Sequence, residues 1–227
     1  MSFKTETTPI AVSLIICVIC VICGFGNEFN GDLFGPTSVI TEKLILASKS
    51  PRRSELLRAA GWTFDVVPAD IDESLLDHET PVNYVKRLAI EKAETVAARV
   101  ASGLVLAADT TVVVDDQVLG QPEDDADARR MLHLLNGRWH EVLTGVALLR
   151  VSEGAAAIAG HECTRVKFAQ MSDEEIEWYV ATGEPRGKAG AYGIQGRAAI
   201  LIEEIQGDYF NVVGLPLRLV YELAKQL

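Results

Sequence analysis

Hydrophobic residues recur along most of this chain in two spacings, one typical of strands and one typical of amphipathic helices. Short runs of branched apolar residues predict strands over 44–47, 63–67, 104–108, 110–114, 117–120, 140–151, 157–169 and 197–205. Segments with an apolar residue at every third or fourth position predict helices over 51–60, 81–101, 124–135, 172–182 and 215–227. Because strands and helices mix from residue 43 onward, the pattern predicts an α/β fold around a twisted mixed sheet flanked by helices.

Residues 1–42 carry a different pattern and are predicted to form an extension to a domain of residues 43–227. The apolar run "IAVSLIICVICVIC" (10–23) is shorter than the roughly 20 residues that a membrane-spanning helix needs. It fits the apolar region of a signal peptide better, with a small-residue cleavage site at 24–26. A membrane anchor is less favoured, and a start codon assigned too far upstream is the third interpretation.

Net charge narrows the function of the protein. The chain has 227 residues and a formal net charge of −11, which argues against nucleic-acid binding, because phosphate backbones need basic surfaces. An anionic ligand must then meet a local basic cluster, and Lys49, Arg52 and Arg53 form one at the start of the predicted helix 51–60. The positive end of a helix dipole repels arginines, but the same end binds phosphate. A bound polyphosphate would neutralise both the arginines and the helix dipole. The alternative is that Arg52 and Arg53 are solvated surface residues. Neither arginine is expected in the core.

Charged residues also occur where the pattern predicts burial. Lys92 lies on the apolar face of the predicted helix 81–101, so its ammonium either points into a site or reaches solvent along its stem. Asp109 ends the predicted strand 104–108, and ligand sites of open α/β sheets lie beyond such strand ends. A carboxylate there could bind a divalent metal or accept a proton from water, and further carboxylates come from Asp70, Asp72 and Glu73. Since no G-x-x-x-x-G-K-[ST] motif occurs, the pattern favours phosphoanhydride chemistry outside the P-loop class.

A glycine-rich stretch, "GKAGAYGIQG" (187–196), lets the backbone approach a ligand closely. Lys188 adds positive charge, and Gln195 can donate and accept hydrogen bonds, which suits recognition of a base edge. The alternative is an ordinary glycine-rich turn. The sequence has no H-E-x-x-H and no G-x-S-x-G motif, which argues against a zinc hydrolase and a serine hydrolase.

These segments together resemble the Maf family of nucleoside triphosphate pyrophosphatases, once named septum-formation inhibitors. The resemblance covers residues 43–227 and rests on five motifs in the family's order: "LASKSPRRSELL" (46–57), "EKA" (91–93), "AADTTVVVDDQVLG-P" (107–122), "KAGAYGIQG" (188–196) and "NVVGLPL" (211–217). The doubled arginine and the Gly-Ile-Gln-Gly of 193–196 are similar to the subgroup that acts on dTTP and UTP. The resemblance implies a two-lobed fold with a deep cleft, shared with inosine triphosphatases, and frequent homodimers. It also implies hydrolysis of dTTP and UTP, with modified pyrimidine nucleotides as further candidates, to the monophosphate and pyrophosphate.

The resemblance implies roles for individual residues as well. Asp109 would be the catalytic base, with Glu73 beside it at a divalent metal, Mg²⁺ or Mn²⁺. Substrate choice would depend on Arg52, Thr110 and Gln195, and the phosphates would be bound by Ser48, Arg53, Lys92 and Lys188. Two features depart from the family pattern: Gln121 replaces the usual lysine, and residues 1–40 lie outside the resemblance.

Two other functions remain open alternatives. Asp109 could be an aspartyl-phosphate nucleophile, but Thr111 stands where that chemistry needs a second aspartate. The loss of lysine at position 121 would also suit a non-catalytic nucleotide-binding regulator of cell division. The implied substrates, and a single cysteine (Cys163) beyond residue 23, predict a cytoplasmic protein; association with a membrane through residues 10–23 is not favoured.

Overall fold

Seven strands form one mixed sheet in the part of the chain that the structure, a computed structural model, describes: residues 40, 42–152 and 154–227. The strands are β1 (Leu44–Leu46), β2 (Phe64–Val66), β3 (Leu104–Val114), β4 (Gln117–Leu119), β5 (Trp139–Arg150), β6 (Ile158–Phe168) and β7 (Ile202–Gln206). Their order is β2-β1-β3-β5-β6-β7, and β4 also pairs with β3. Strand β1 is parallel to β2 and β3, and the other pairs are antiparallel. The predicted mixed α/β fold is therefore confirmed.

Four of the six helices begin within one residue of the predicted position, because polar caps and prolines mark their first residues. They are α1 (Pro51–Ala59), α2 (Pro81–Ala97), α3 (Asp125–Leu135), α4 (Asp173–Ala181), α5 (Tyr209–Val213) and α6 (Leu217–Ala224). The side chains of Ser50, Thr80 and Ser172 each accept a hydrogen bond from a first-turn amide of α1, α2 and α4. Within the described residues, no helix is both long and apolar enough to cross a membrane. The predictions made for residues 1–39, including the apolar run 10–23, fall outside the described residues.

Alternation along β3 sends successive side chains to opposite faces of the sheet. Leu104, Leu106 and Ala108 pack in the cluster that contains α1 and α6, whereas Val105 and Ala107 pack in the cluster that contains α2. A separate cluster surrounds α3, α4 and the end of β3, as a two-lobed fold requires. Asp109 and Thr110 continue this alternation, so the first faces α2 and the second faces α1.

Helix α2 lies unusually close to the sheet because Gly145 on β5 has no side chain. A Cβ atom at Gly145 would come within 2.1 Å of the Val85 carbonyl oxygen. Gly145 is also the residue of β5 that pairs with Asp109. The close approach therefore brings α2, and Lys92 on it, directly over the middle of β3.

The structure corrects one prediction that bears on the site. Segments 104–108 and 110–114 form a single strand, so Asp109 lies in mid-strand rather than at a strand end. The reason is β5, which pairs with β3 from Leu104 to Val113 without a break. A polar residue within an apolar run marks a strand end only where the neighbouring strand also stops pairing. Here β5 pairs with β3 on both sides of Asp109.

The carboxyl-terminal region also differs from the prediction. Residues Arg197–Leu201 form a 3-10 helix, so the late strand is only Ile202–Gln206. The predicted helix 215–227 is shorter, and the five-residue helix α5 precedes it. Gly214 adopts a left-handed conformation with φ of 120°, and this residue separates α5 from α6.

Candidate active site

The candidate site opens at a gap along one edge of β3. Strand β1 pairs with residues 104–106 of β3 and β4 pairs with residues 112–114, while β5 occupies the opposite edge. Asp109, Thr110 and Thr111 in this gap, together with Val112 just beyond it, line a cavity of about 490 Å³. That cavity is lined by every residue to which the resemblance gives a role: Ser48, Arg52, Arg53, Glu73, Lys92, Asp109, Thr110, Lys188 and Gln195. Of the other two candidate carboxylates, Asp70 lines the cavity and Asp72 does not. The structure thus brings together residues that are far apart in the sequence.

One wall of the cavity, here the carboxylate wall, consists of Glu73, Lys92 and Asp109. The ammonium of Lys92 lies 2.6 Å from Asp109 Oδ1 and 2.7 Å from Glu73 Oε1. Lys92 is 8% exposed and Asp109 is 7% exposed, so this ion pair is nearly shielded from water. Burial raises the pKa of Asp109 above its usual range, and the positive charges of Lys92 and Arg53 oppose that rise. Of the two predicted orientations of Lys92, the structure shows the one into a cavity.

Arg53 is held by hydrogen bonds from three different segments. Its Nε donates to the Gly214 carbonyl at 2.8 Å, and its two terminal nitrogens donate to Ser48 Oγ and Thr110 Oγ1, both at 3.1 Å. Burial lowers the pKa of Arg53, while the charge of Asp109 acts in the opposite direction. The guanidinium therefore ties α1 to β3 and to the turn after α5, beside the carboxylate wall.

Arg52, the neighbour of Arg53, also lines the cavity, and so does Lys188; these two residues are here named the cationic wall. Burial lowers the pKa of Arg52. Burial also lowers the pKa of Lys188, and the charge of Arg52 lowers it further. Arg186 and Arg197 nearby are each paired with a carboxylate, but no ion pair among the described residues includes Arg52 or Lys188. Arg52 lies at the amino end of α1, where a helix attracts anions, and Lys188 adds a second positive charge. The two side chains therefore suit an anionic ligand.

The glycine-rich stretch holds Lys188 in place. The Lys188 ammonium donates to the carbonyl oxygen of Glu184. A Cβ atom at Gly193 would come within 2.8 Å of the Lys188 stem, so a larger residue there would require the lysine side chain to shift. Gln195 is exposed at the rim of the cavity, and Gln121 also lines it.

Sequence reasoning missed several residues that support the site from behind. Thr144 Oγ1 lies 2.9 Å from Thr110 Oγ1 and donates to the Asn211 carbonyl at 3.2 Å. Asn211 is fully buried and donates to Val142 O at 2.9 Å. Tyr84, on α2, lines the cavity and donates to the Glu73 carbonyl at 2.9 Å. A sequence signal for Thr144 did exist, because it is a polar residue within the apolar run 142–149. Its meaning becomes clear only in the structure, where Thr144 pairs with Thr110 on the neighbouring strand.

The sequence of this chain is similar to those of known proteins. The sequence profile of the family described as Maf-like protein matches residues 43–227. The dTTP/UTP pyrophosphatase of Symbiobacterium thermophilum is 54% identical over 185 residues, which cover 82% of this chain and 94% of that protein. The proteins of the same name from Moorella thermoacetica and Clostridioides difficile are 53% and 47% identical, covering 80% and 81% of this chain and 93% and 94% of theirs. The chain therefore belongs to the Maf-like protein family.

Proposed function

We propose that this protein is a nucleoside triphosphate pyrophosphatase that hydrolyses dTTP and UTP to the monophosphate and pyrophosphate. The observation that carries this proposal is the presence, in one cavity, of the carboxylate wall with its buried Asp109 and of a cationic wall whose side chains form no ion pair among the described residues. The names of the relatives, which share about half of their residues with this chain, support the same reaction and the same substrates.

The cationic wall is the place for the triphosphate. Arg52 offers a planar fork for two phosphate oxygens, and Lys188 offers a point charge beside it. The amide groups at the start of α1 and its helix dipole add further attraction for an anion. Binding the triphosphate would relieve the repulsion between Arg52 and Lys188, and this relief answers why arginines open this helix.

Asp109 is the residue best placed to act as the general base. Its carboxylate is buried, it faces the cavity, and its raised pKa makes it a better proton acceptor than an exposed aspartate. In the proposed reaction Asp109 takes a proton from water, the water oxygen bonds to the α-phosphorus, and the bond from that phosphorus to the bridging α–β oxygen breaks. Pyrophosphate leaves with that oxygen, and the nucleoside monophosphate remains.

The residues around Asp109 fit a divalent cation. Asp109 and Glu73 both contact the single ammonium of Lys92, so their carboxylates converge on one point. Among the described residues no group of three or more His, Cys, Asp or Glu side chains forms a complete metal site. Two carboxylates are nevertheless what Mg²⁺ or Mn²⁺ takes from a protein when substrate phosphates supply the other oxygens. We propose that Asp109 and Glu73 would hold such an ion, which would neutralise charge on the phosphates when bound.

A direct test is a pyrophosphate-release assay with dTTP, UTP, CTP, ATP and GTP in the presence of Mg²⁺. We expect pyrophosphate and monophosphate from dTTP and UTP, with much slower release from the purine nucleotides. Release of single phosphate ions would contradict attack at the α-phosphorus. Nucleotide binding by calorimetry without any turnover would instead support a non-catalytic regulator.

Three further points are proposals that rest on the resemblance. We propose that residues 43–227 form the catalytic unit, that two copies assemble as a homodimer, and that the protein acts in the cytoplasm. A protein shortened to residues 41–227 should then keep full activity. Light scattering would measure the oligomeric state, and fractionation of cells would place the full-length chain.

A further inference from the structure

Glu73 lies in the connection between β2 and α2, residues 67–80, which contains neither a helix nor a strand. Apolar burial does not fix this connection near Glu73, since the following residues Leu75 and Leu76 are 50% and 54% exposed. The carboxylate of Glu73 nevertheless lies 2.7 Å from Lys92, on the carboxylate wall. Some other interaction must therefore determine where its backbone lies.

Two side chains of α2 bind the backbone carbonyls of Glu73 and of the next residue, Ser74. Tyr84 Oη donates to the Glu73 carbonyl at 2.9 Å. Arg87 Nη2 donates to the next carbonyl along the chain, that of Ser74, at 3.0 Å. Two consecutive carbonyls are thus bound by one helix face, the same helix that carries Lys92.

The guanidinium of Arg87 is itself held on two sides. It forms a two-pronged pair with Glu79, with Nε at 2.7 Å and Nη2 at 2.8 Å from the two carboxylate oxygens. Its Nη1 donates to Glu91, one turn further along α2, at 3.2 Å. The Glu79 side chain is only 8% exposed, so this pair is better shielded than an ordinary surface ion pair. Five donors in a fixed plane make these contacts, and lysine could not reproduce them.

We propose that Arg87, assisted by Tyr84, is a positioning residue that places the Glu73 carboxylate against Lys92 and Asp109. Arg87 does not contact the cavity itself; it acts through the backbone at residues 73 and 74. This inference rests on the proposed function, because it takes the reaction at Asp109 as the process that Glu73 serves. Helix α2 would then position both Lys92, which it carries, and Glu73, whose backbone it binds.

The test is a double-mutant cycle of Arg87→Met, Glu73→Gln and the combined variant, measured as kcat/KM for dTTP at several Mg²⁺ concentrations. Loss of a residue that orients a ligand typically costs about 10- to 100-fold in activity, so we expect that range for Arg87→Met. Once Glu73 is replaced, Arg87→Met should cost little more. Arg87→Lys should fail to restore activity. Arg130→Met is the matched control, because Arg130 also pairs with a carboxylate, Asp127, but on the exposed surface of α3.

A second readout needs no substrate. Backbone amides of residues 72–76 should exchange hydrogen faster in Arg87→Met than in the wild type, while amides of β3 keep their protection. Losses that multiply in the combined variant, or wild-type exchange at residues 72–76, would overturn the proposal. Should Arg87→Met fail to fold, Tyr84→Phe takes its place in the same cycle, since it removes only one hydroxyl group. If the wild type releases no pyrophosphate, the proposed function fails, and the exchange measurement still decides whether Arg87 holds the connection.

Discussion

The two walls of the cavity treat their charges in opposite ways. On the carboxylate wall, Lys92 contacts both Asp109 and Glu73, so the charges are largely compensated within the protein. On the cationic wall, burial and the charge of Arg52 lower the pKa of Lys188. The charges of Glu55 and Glu184 act on these two cations without forming an ion pair with either among the described residues. Lys92 supplies a counter-charge to the first wall within the protein, whereas the second wall has no ion-pair partner until an anion binds. We propose from this comparison that the carboxylate wall serves the chemistry and the cationic wall serves binding.

Asp109→Asn should have the largest effect, because it breaks the carboxylate wall and leaves the cationic wall intact. Asparagine keeps the shape of the side chain but cannot act as a base near neutral pH. We expect kcat for dTTP to fall by about 10²–10⁴-fold, the usual cost of losing a general base. Calorimetry should show that dTTP still binds, since Arg52 and Lys188 are unchanged. A variant with at least about a third of the wild-type kcat would exclude Asp109 as the base.

Arg52→Ala and Arg53→Ala should separate binding from stability in two adjacent residues. Removing a charged phosphate contact of about 1.5–3 kcal/mol should lower kcat/KM of Arg52→Ala about 10- to 100-fold. Its Tm should stay unchanged or rise, because a positive charge is removed from a helix start. Arg53→Ala loses three hydrogen bonds that join separate segments, so we expect a loss of about 3 kcal/mol and a Tm lower by roughly 5–10 °C. Thermal melts that show the reverse order would contradict this division of roles.

This division could not have been predicted from the sequence. The pattern placed both arginines in the first turn of one helix, and the resemblance gave Arg52 a role in substrate choice and Arg53 a role in phosphate binding, with no stabilising role for either. Which of them turns inward depends on Gly214 and Thr110, which are distant in sequence and reach Arg53 only in the folded chain. Local propensity carries no information on such contacts.

Other parts of the site could be predicted because they depend only on the spacing of apolar residues within one helix. The spacing of apolar residues in α2 puts Lys92 on the buried face, and the structure confirms this position. Asp109 was identified correctly as a cavity residue but for a partly wrong reason. The gap between β1 and β4 exposes it, and a gap of this kind depends on strand pairing rather than on the apolar run around it.

Lys92→Met should change the pH dependence of the carboxylate wall. The positive charge of Lys92 favours the ionised form of Asp109, so its removal should raise the pKa of Asp109 further. Activity needs the carboxylate, and it is therefore lost as the pH falls through that pKa. The acidic limb of the kcat/KM profile should move to higher pH in Lys92→Met. Lys86→Met, on the same helix but outside the cavity lining, should leave the limb in place; a limb that does not move in Lys92→Met would show that another group controls it.

Gln121→Lys should have the smallest effect, and it should sharpen the comparison by strengthening the cationic wall. Gln121 lines the cavity, and its side-chain oxygen lies 4.0 Å from the place of a Cβ atom on Gly187, beside Lys188. A third cation there should increase repulsion in the free protein and attraction for a triphosphate. One added charge at a half-exposed phosphate site contributes on the order of 1 kcal/mol, so KM for dTTP should fall by a few-fold up to about tenfold, with kcat little changed. Gln117→Lys is the matched control, because it adds the same charge at an exposed position of β4 outside the cavity lining. An equal fall of KM in both variants would assign the gain to the overall charge of the protein, and an unchanged KM in Gln121→Lys would place residue 121 away from the phosphates.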